Sequence, residues 1–159
     1  MTEKILVVYY SRTGNTKKLA QKLAQKSLAD IDEIVDLQNR SGVLGFLKGG
    51  RDAFRKKRTE INYDKNPENY DVVVIGTPVW VGTMAPAVKS YLEKHALKNV
   101  AFFCTYGGQP ANTFKDMQSL TTKPVAVLGV KANKFEEHQK YINGFINKLK
   151  NGNEPAKSD

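Results

Sequence analysis

Short apolar runs alternate along this chain with longer amphipathic segments, and few folds accommodate that alternation. The run from Ile5 to Tyr10 is rich in β-branched and aromatic residues, as expected of a strand buried on both faces. From Thr16 onward, the apolar residues are spaced as one stripe of an amphipathic helix. Both patterns recur and predict further strands at Ile31–Leu37, Val72–Gly76, Val100–Thr105 and Val125–Val130, and further helices at Ala85–His95, Ala111–Leu120 and Phe135–Leu149.

Strands that alternate with helices pair in parallel, because right-handed crossovers place the helices on both faces of one sheet. The sequence therefore predicts an α/β fold, a doubly wound five-stranded parallel sheet in three layers, α/β/α. Ligands of such sheets bind beyond the carboxyl ends of the strands, where the strand order changes direction. The candidate site is thus predicted in the segments Ser11–Thr16, Thr77–Pro86 and Thr105–Gln109.

Length and composition indicate one globular domain. The chain has 159 residues, 40% hydrophobic and 26% charged, which is enough to bury a single core. We expect a domain over residues 1–150 and a flexible tail over 151–159. The apolar runs are too short to insert in a membrane, and the N-terminus lacks a secretory pattern, so a cytoplasmic location is expected.

Cysteine and histidine are too sparse for several kinds of site. Cys104 is the single cysteine, which excludes an intrachain disulfide and a cysteine-rich metal site. His95 and His138 have no partner at ligand spacing, so we expect structural or solvent-facing roles for both. No metal site and no catalytic side chain are predicted.

The segment between the first strand and the first helix is rich in hydroxyl groups. A helix N-terminus offers unpaired N–H groups and the positive end of the helix dipole, so hydroxyl and amide side chains there favour a phosphate. The alternative is an ordinary helix cap that binds nothing. Dinucleotide and nucleoside-triphosphate loops are excluded, since Gly14 is the only glycine of the turn and no Gly-Lys-Ser/Thr follows. The candidate phosphate residues are Ser11, Arg12, Thr13, Gly14, Asn15 and Thr16.

These residues resemble the phosphate loop of the flavodoxin family, Thr/Ser-x-Thr-Gly-x-Thr directly after the first strand. Ser11, Thr13, Gly14 and Thr16 match it, and the resemblance extends to about Leu149. It implies the strand order 2-1-3-4-5 and FMN bound at the switch point.

The resemblance also assigns roles to the other two segments. The second flavin loop would contain Thr77, Pro78, Val79, Trp80, Val81 and Gly82, and the third would contain Thr105, Tyr106, Gly107 and Gly108. Trp80 is predicted to stack on the flavin, with a core tryptophan as the alternative. Gly82 is the candidate whose amide or carbonyl responds to flavin N5. The paired glycines would admit the pyrimidine edge of the ring, and Tyr106 either covers a face or packs in the core.

Two features depart from the family pattern. Electron-carrier flavodoxins are typically acidic, whereas this chain has a net charge of +9. A basic protein attracts nucleic acid, anionic membranes or an acidic protein, and charge alone does not separate these. A redox partner protein is expected, with an acidic one among the possibilities, and NAD(P)H is a further possible partner. The segment Ser41–Lys65 joins an apolar, glycine-containing stretch to a basic one, and is interpreted either as a crossover helix with a solvated face or as a docking or lid element.

Competing functions differ in the residues that they need. A low-molecular-weight phosphatase would place a cysteine after the first strand, and a receiver domain would place acids there, but this chain has Tyr9-Tyr10-Ser11. Nucleic-acid binding is supported by charge alone and is not predicted. Three functions stay open: an FMN electron carrier, a small FMN-dependent NAD(P)H:quinone-type oxidoreductase, and a non-catalytic binding protein of the same fold.

Overall fold

A mostly parallel β-sheet forms the centre of the protein, whose computed structural model describes residues 2–38 and 59–152. Its strands, with two short ones beside them, are β1 (Ile5–Tyr9), β2 (Asp30–Glu33), β3 (Val35–Asp36), β4 (Ile61–Asn62), β5 (Val72–Trp80), β6 (Thr83–Met84), β7 (Val100–Tyr106) and β8 (Val127–Lys131). The helices are α1 (Asn15–Ser27), α2 (Pro86–Lys94), α3 (Thr113–Ser119) and α4 (Gln139–Asn151), with 3-10 turns at Pro67–Asn69 and Phe135–His138.

The strand order of the main sheet is β2-β1-β5-β7-β8, and all of these neighbours pair in parallel. Val7 of β1, for example, lies between Ile31 and Val74. Renumbered over the five long strands, this order is 2-1-3-4-5, so the predicted doubly wound topology is confirmed. The order changes direction between β1 and β5, which places the switch point at their carboxyl ends.

Alternate residues of the central strands enter two separate cores. Leu6 and Val8 pack with residues of α2 and α3, such as Tyr91 and Met117. Ile5, Val7 and Tyr9 pack on the other face against α1 and α4. Side chains alternate across a strand, so an apolar run such as β1 fills both cores at once and forms the predicted three layers.

The structure corrects three predicted strands. The expected strand Ile31–Leu37 divides into β2 and β3 at Ile34, which is buried in the core. Its N–H makes the last bond to β1, donating to Tyr9 O at 2.7 Å, and β1 ends at Tyr9. β3 then pairs antiparallel with β4, outside the main sheet. β8 begins two residues later than predicted. The segment Thr77–Pro86 is not wholly a loop, since β5 continues to Trp80 and forms an antiparallel hairpin with β6.

The four helices predicted outside the Ser41–Lys65 segment all occur, with shifted ends. Phe135–His138 is a 3-10 turn, and α4 follows it and reaches Asn151, the first residue of the expected tail. Most of the Ser41–Lys65 segment and residues 153–159 lie outside the described residues. Over the described ranges, no helix has the length and apolar character needed to cross a bilayer.

Candidate functional site

Three chain segments meet at the carboxyl edge of the sheet, beyond β1, β5 and β7. The hydroxyl of Thr16, in the first turn of α1, lies 2.7 Å from the hydroxyl of Thr105 near the end of β7. The N–H of Asn112, before α3, donates to Gly82 O of the hairpin at 3.0 Å. The first of these bonds joins the first and third predicted segments, and the pairing of Pro78 with Thr105 between β5 and β7 joins the second to the third.

The N-terminus of α1 has no capping side chain in the described part of the chain and lies beside open space. Gly14 precedes the helix with φ +98°, and no side chain among the described residues caps the first turn, which also has no acidic residue. A Cβ added at Gly14 would meet nothing within 4 Å, so the space beside the turn is open. The first-turn N–H groups lack intrahelical acceptors and add to the positive end of the dipole. This arrangement fits a phosphate better than an ordinary cap.

The predicted phosphate residues other than Thr16 lie at or near the protein surface, around the turn before α1. Thr13 is exposed, while Ser11, Arg12 and Asn15 are half-buried around the turn. Ser11 Oγ accepts a hydrogen bond from the Gly14 N–H at 3.1 Å, and thereby shapes the loop itself.

Thr16 behaves differently from that group, since it is buried and its hydroxyl pairs with Thr105. One hydroxyl donates to the other, so only one of the two protons is used in this bond. The hydroxyl that accepts this bond, whether of Thr16 or of Thr105, keeps its own proton and can donate it to a ligand. The contact across 89 residues could not be found from the motif alone.

The β5–β6 hairpin carries the second segment. Trp80 pairs with Thr83, which leaves Val81 and Gly82 as a two-residue turn with φ +50° and +76°. Positive φ at both positions is the signature of a type I′ turn. Thr77 Oγ1 accepts from the Ala85 N–H at 3.0 Å and donates to Pro78 O at 2.8 Å, which ties the two arms together.

Residues outside the predicted set hold this hairpin in place. Thr83 Oγ1 donates to Asp116 Oδ2 at 2.5 Å, and Ala111 Cβ would lie 3.4 Å from a Cβ added at Gly82. Because Gly82 O already accepts from Asn112, the carbonyl of the predicted N5-responsive glycine is occupied by a bond within the protein. The sequence alone does not predict that Ala111, Asn112 and Asp116 contact this hairpin, because such contacts depend on the register of its two strands.

Trp80 lies in the core. Its side chain is 9% exposed and packs edge-on against Tyr10, with ring centroids 5.5 Å apart. Val81 at the tip is 58% exposed. This burial favours the core interpretation of Trp80, and Val81 is the exposed side chain at the hairpin tip.

The third segment exposes its backbone. Gly107 and Gly108 are exposed, and a Cβ added at either would meet nothing within 4 Å. The adjacent Tyr106 is half-buried, and its carbonyl accepts from the Ala132 N–H at 2.8 Å. Open backbone here and at Gly14 leaves room for a flat ligand along this edge.

Two buried titratable groups near the edge, Tyr9 and Cys104, keep their protons at neutral pH. Burial, followed by the nearby Glu33, raises the pKa of Tyr9 to about 12. Burial raises the pKa of the Cys104 thiol to about 12, so this thiol is no nucleophile. His95 lies elsewhere, with its Nε2 2.9 Å from Tyr63 OH, and burial lowers its pKa.

A concave surface of about 600 Å³ lies at the opposite edge, by the amino ends of β1 and β2. Lys4, Lys150 and Asp30 line it, and the Tyr70 hydroxyl there already donates to Asp30. Volume alone does not make a site, and the carboxyl edge has the open helix end and exposed glycine backbone that a ligand needs.

Comparison with known proteins identifies the same family as the motif at Ser11–Thr16. A family model described as flavodoxin matches residues 4–144. The flavodoxin-like domain-containing protein BilS of Clostridioides difficile (strain CD3) is 29% identical over 136 residues, 79% of this chain and 62% of that protein. An NAD(P)H dehydrogenase (quinone) of Chromohalobacter salexigens is 28% identical over 94 residues, 57% of this chain and 46% of that protein. The chain thus spans about half to three fifths of these curated relatives.

Solved structures share the fold. A Bacteroides eggerthii DSM 20697 structure is 28% identical with a TM-score of 0.72, covering 92% of this chain and 97% of that one. A Lactobacillus acidophilus NCFM flavoprotein in complex with FMN is 24% identical with a TM-score of 0.67, covering 86% and 98%. Together with the family match over most of its length, the strand order and the loop at Ser11–Thr16 show that this chain belongs to the flavodoxin family.

Proposed function

We propose that this protein binds FMN at the carboxyl edge of its sheet and carries electrons to or from a partner protein. The observation that carries the proposal is the open N-terminus of α1 after Gly14, joined to β7 through Thr16 and Thr105. The family match supports the cofactor, as does the FMN bound in the Lactobacillus acidophilus flavoprotein. FMN ends in a single phosphate, for which one uncapped helix end is suited.

The three segments would divide the work of binding. The first turn of α1, with Thr13 and Asn15, would hold the phosphate, and the exposed backbone of Gly107 and Gly108 would accept the polar edge of the ring. The hairpin tip at Val81 would cover an apolar part of the flavin. When bound, FMN supplies reversible uptake of one or two electrons, and the protein orients it and limits its contact with water.

The chemistry of the edge favours a carrier over an enzyme. The side chains of Ser11–Thr16, Thr77–Gly82 and Thr105–Gln109 are hydroxyl, amide, aromatic and aliphatic, with Arg12 as the single charged one. Proton transfer at neutral pH needs a group such as histidine or a raised carboxyl, and these three segments have neither. Electron transfer needs only the flavin and an approach for the partner.

A second candidate is an FMN-dependent oxidoreductase that uses NAD(P)H and a quinone. The similarity to an NAD(P)H dehydrogenase (quinone) favours it, over 57% of this chain. It requires a nicotinamide to reach the flavin directly, whereas a carrier receives its electrons from another protein.

One set of measurements separates the candidates. Purified protein loaded with FMN is mixed with NADH or NADPH and a soluble benzoquinone, and turnover is compared with that of free FMN at the same concentration. We expect one FMN per chain, reduction by dithionite, reoxidation by ferricyanide and no turnover above the free-flavin background. Sustained NAD(P)H oxidation would establish the oxidoreductase, and failure to retain FMN would leave a non-catalytic binding protein.

A further inference from the structure

One helical layer of this protein is charged with a single sign. α1 contains Lys17, Lys18, Lys22 and Lys26, and α4 contains Lys140, Lys148 and Lys150, while neither helix has an aspartate or a glutamate. Among the described residues, the two helices on the other face of the sheet are close to balanced. α2 and α3 together carry three lysines and two acids, and Lys89 lies 4.0 Å from Glu93.

The seven lysines belong to one continuous surface. α1 and α4 pack on the same face of the sheet, with Leu19 and Leu23 in one core cluster with Ile142 and Phe145. Lys26 Nζ of α1 donates to Asn143 Oδ1 of α4 at 3.3 Å. Six of the seven are exposed and Lys22 is half-buried, and none forms an ion pair with a described carboxylate. We call these seven residues the basic layer.

Three lysines of the basic layer destabilise the N-terminal ends of the helices in which they lie. Lys17 and Lys18 lie in the first turn of α1, and Lys140 lies in the first turn of α4. A cation there meets the positive end of the helix dipole, which costs about 0.3–1 kcal/mol at an exposed position. Lys18, Lys22 and Lys26 also repeat at i,i+4, where like charges repel. Lys26, Lys148 and Lys150 lie in last turns, where the dipole favours them, so folding explains those three and not the others.

Three of the four lysines that folding does not explain, Lys17, Lys18 and Lys140, lie toward the candidate site. α1 follows β1, and α4 follows β8 after the turn Phe135–His138, so both helices begin at the carboxyl edge. Glu136 and Glu137 precede α4, and Glu137 is already paired with Lys134 at 2.9 Å. Among the described residues, Lys17, Lys18 and Lys140 form no ion pair, and an incoming anionic surface would meet them at the starts of these two helices.

We infer that the site-proximal end of the basic layer, at Lys17, Lys18 and Lys140, docks an acidic redox protein. This inference rests on the proposed function, since it names the partner class for the same site. Charge complementarity at the rim steers the encounter and brings the partner to the edge where the flavin would lie. A nucleic acid or an anionic membrane would also be attracted by lysines, but neither requires them at the edge of the ligand site.

The variant K17Q/K18Q/K140Q tests the inference, and K89Q/K94Q/K115Q on α2 and α3 is its matched control, with the same charge change. Removing cations from first turns relieves the dipole penalty, so we expect the test variant to fold.

The probe is cytochrome b5, an acidic haem protein, and cytochrome c is the basic comparison. Affinity is measured by titration at low and physiological ionic strength. Stopped-flow measurements follow one electron passing from dithionite-reduced holoprotein to ferric haem.

We expect the wild type to bind and reduce cytochrome b5 faster than cytochrome c, with a rate that falls as salt is added. The test variant should lose at least about tenfold of that rate and affinity, and the control less than about twofold. Equal losses in both variants, or a preference for cytochrome c, would overturn the inference. So would salt-sensitive binding to phosphatidylserine vesicles or duplex DNA that is tighter than to cytochrome b5 and is lost in the test variant.

The failure of this inference can be told from the failure of the proposed function. FMN affinity is measured for each variant, and cytochrome b5 binding is measured without electron transfer as well. If FMN does not bind the wild type, the proposed function fails whatever the docking result. If FMN binds all three proteins equally and docking is unchanged, only the inference fails.

Discussion

Two large, exposed apolar residues adopt a backbone conformation that glycine prefers. Val81 has φ +50° at the hairpin tip, and Leu28 has φ +55° at the end of α1. Left-handed backbone costs an L-residue about 1–2 kcal/mol, and a β-branched side chain is the least suited to it. Leu28 is 90% exposed at a position where helices usually place glycine. Val81 is exposed at the candidate site, and contact between its side chain and a bound ligand would account for a valine at this strained position.

Replacing Val81 with glycine should make the protein more stable and a weaker binder. V81G removes the steric cost of positive φ, so the free energy of unfolding should rise by about 0.5–1 kcal/mol. The same change removes an apolar contact with the ligand, and FMN affinity should fall by about tenfold. Urea unfolding and fluorescence titration with FMN measure the two effects.

L28G is the control for that variant. It relieves a positive φ of similar size and also removes an exposed apolar side chain, but lies at the far end of α1. We expect a similar gain in stability with FMN affinity within about twofold of the wild type. If both variants change FMN affinity equally, Val81 has no special contact with the ligand.

At the scale of elements, the buried Thr16–Thr105 bond joins α1 to β7. T16V or T105V alone leaves a buried hydroxyl without its partner, which should cost about 1–3 kcal/mol of stability. T16V/T105V removes both hydroxyls at nearly constant shape, so its loss should be smaller than the sum of the single losses. T13V, at an exposed threonine, should change stability by less than about 0.5 kcal/mol. Additive losses in the double variant, measured by urea unfolding, would show that the two hydroxyls do not support each other.

The predictability of an element follows its burial. β1, β5 and β7 are apolar on both faces, so their sequence runs locate them within a few residues. The β5–β6 hairpin was not predicted, because its turn is Val81-Gly82 rather than Asn-Gly or Asp-Gly, and it forms only with a valine at positive φ. The break at Ile34 was missed for a related reason, since an apolar residue continues a strand pattern whether or not the chain turns there.

Among the site residues, those in a local motif could be predicted from the sequence, and those that depend on contacts with distant segments could not. The motif around Gly14 located the uncapped helix end, because a local loop and helix start produce it. The roles of Thr16, Trp80 and Asn112 depend on contacts with distant segments, so spacing along the chain could not assign them. Trp80 was predicted to stack on the flavin from its loop position, with a core tryptophan as the alternative, and its burial beside Tyr10 favours that alternative.

For the whole molecule, the distribution of charge matters more than its total. A net charge of +9 indicates attraction to anions and leaves the partner open. The topology places two acid-free helices side by side on one face, and both begin at the edge that carries the candidate site. Composition cannot show this asymmetry, since it arises from which helices the sheet makes neighbours.

The central claim is that the uncapped first turn of α1 holds the phosphate of FMN at the carboxyl edge. Riboflavin differs from FMN only in lacking that phosphate, so the ratio of their dissociation constants isolates this contact. The measurement is fluorescence titration of both ligands with the wild type, T13A/N15A and T2A, a control at the opposite edge of the sheet. We predict that the wild type binds FMN at least about 100-fold more tightly than riboflavin, a difference of about 2.7 kcal/mol. T13A/N15A should reduce that ratio by about tenfold and T2A should leave it unchanged. Equal affinity of the wild type for both ligands, or equal losses for both in T13A/N15A, would contradict the claim.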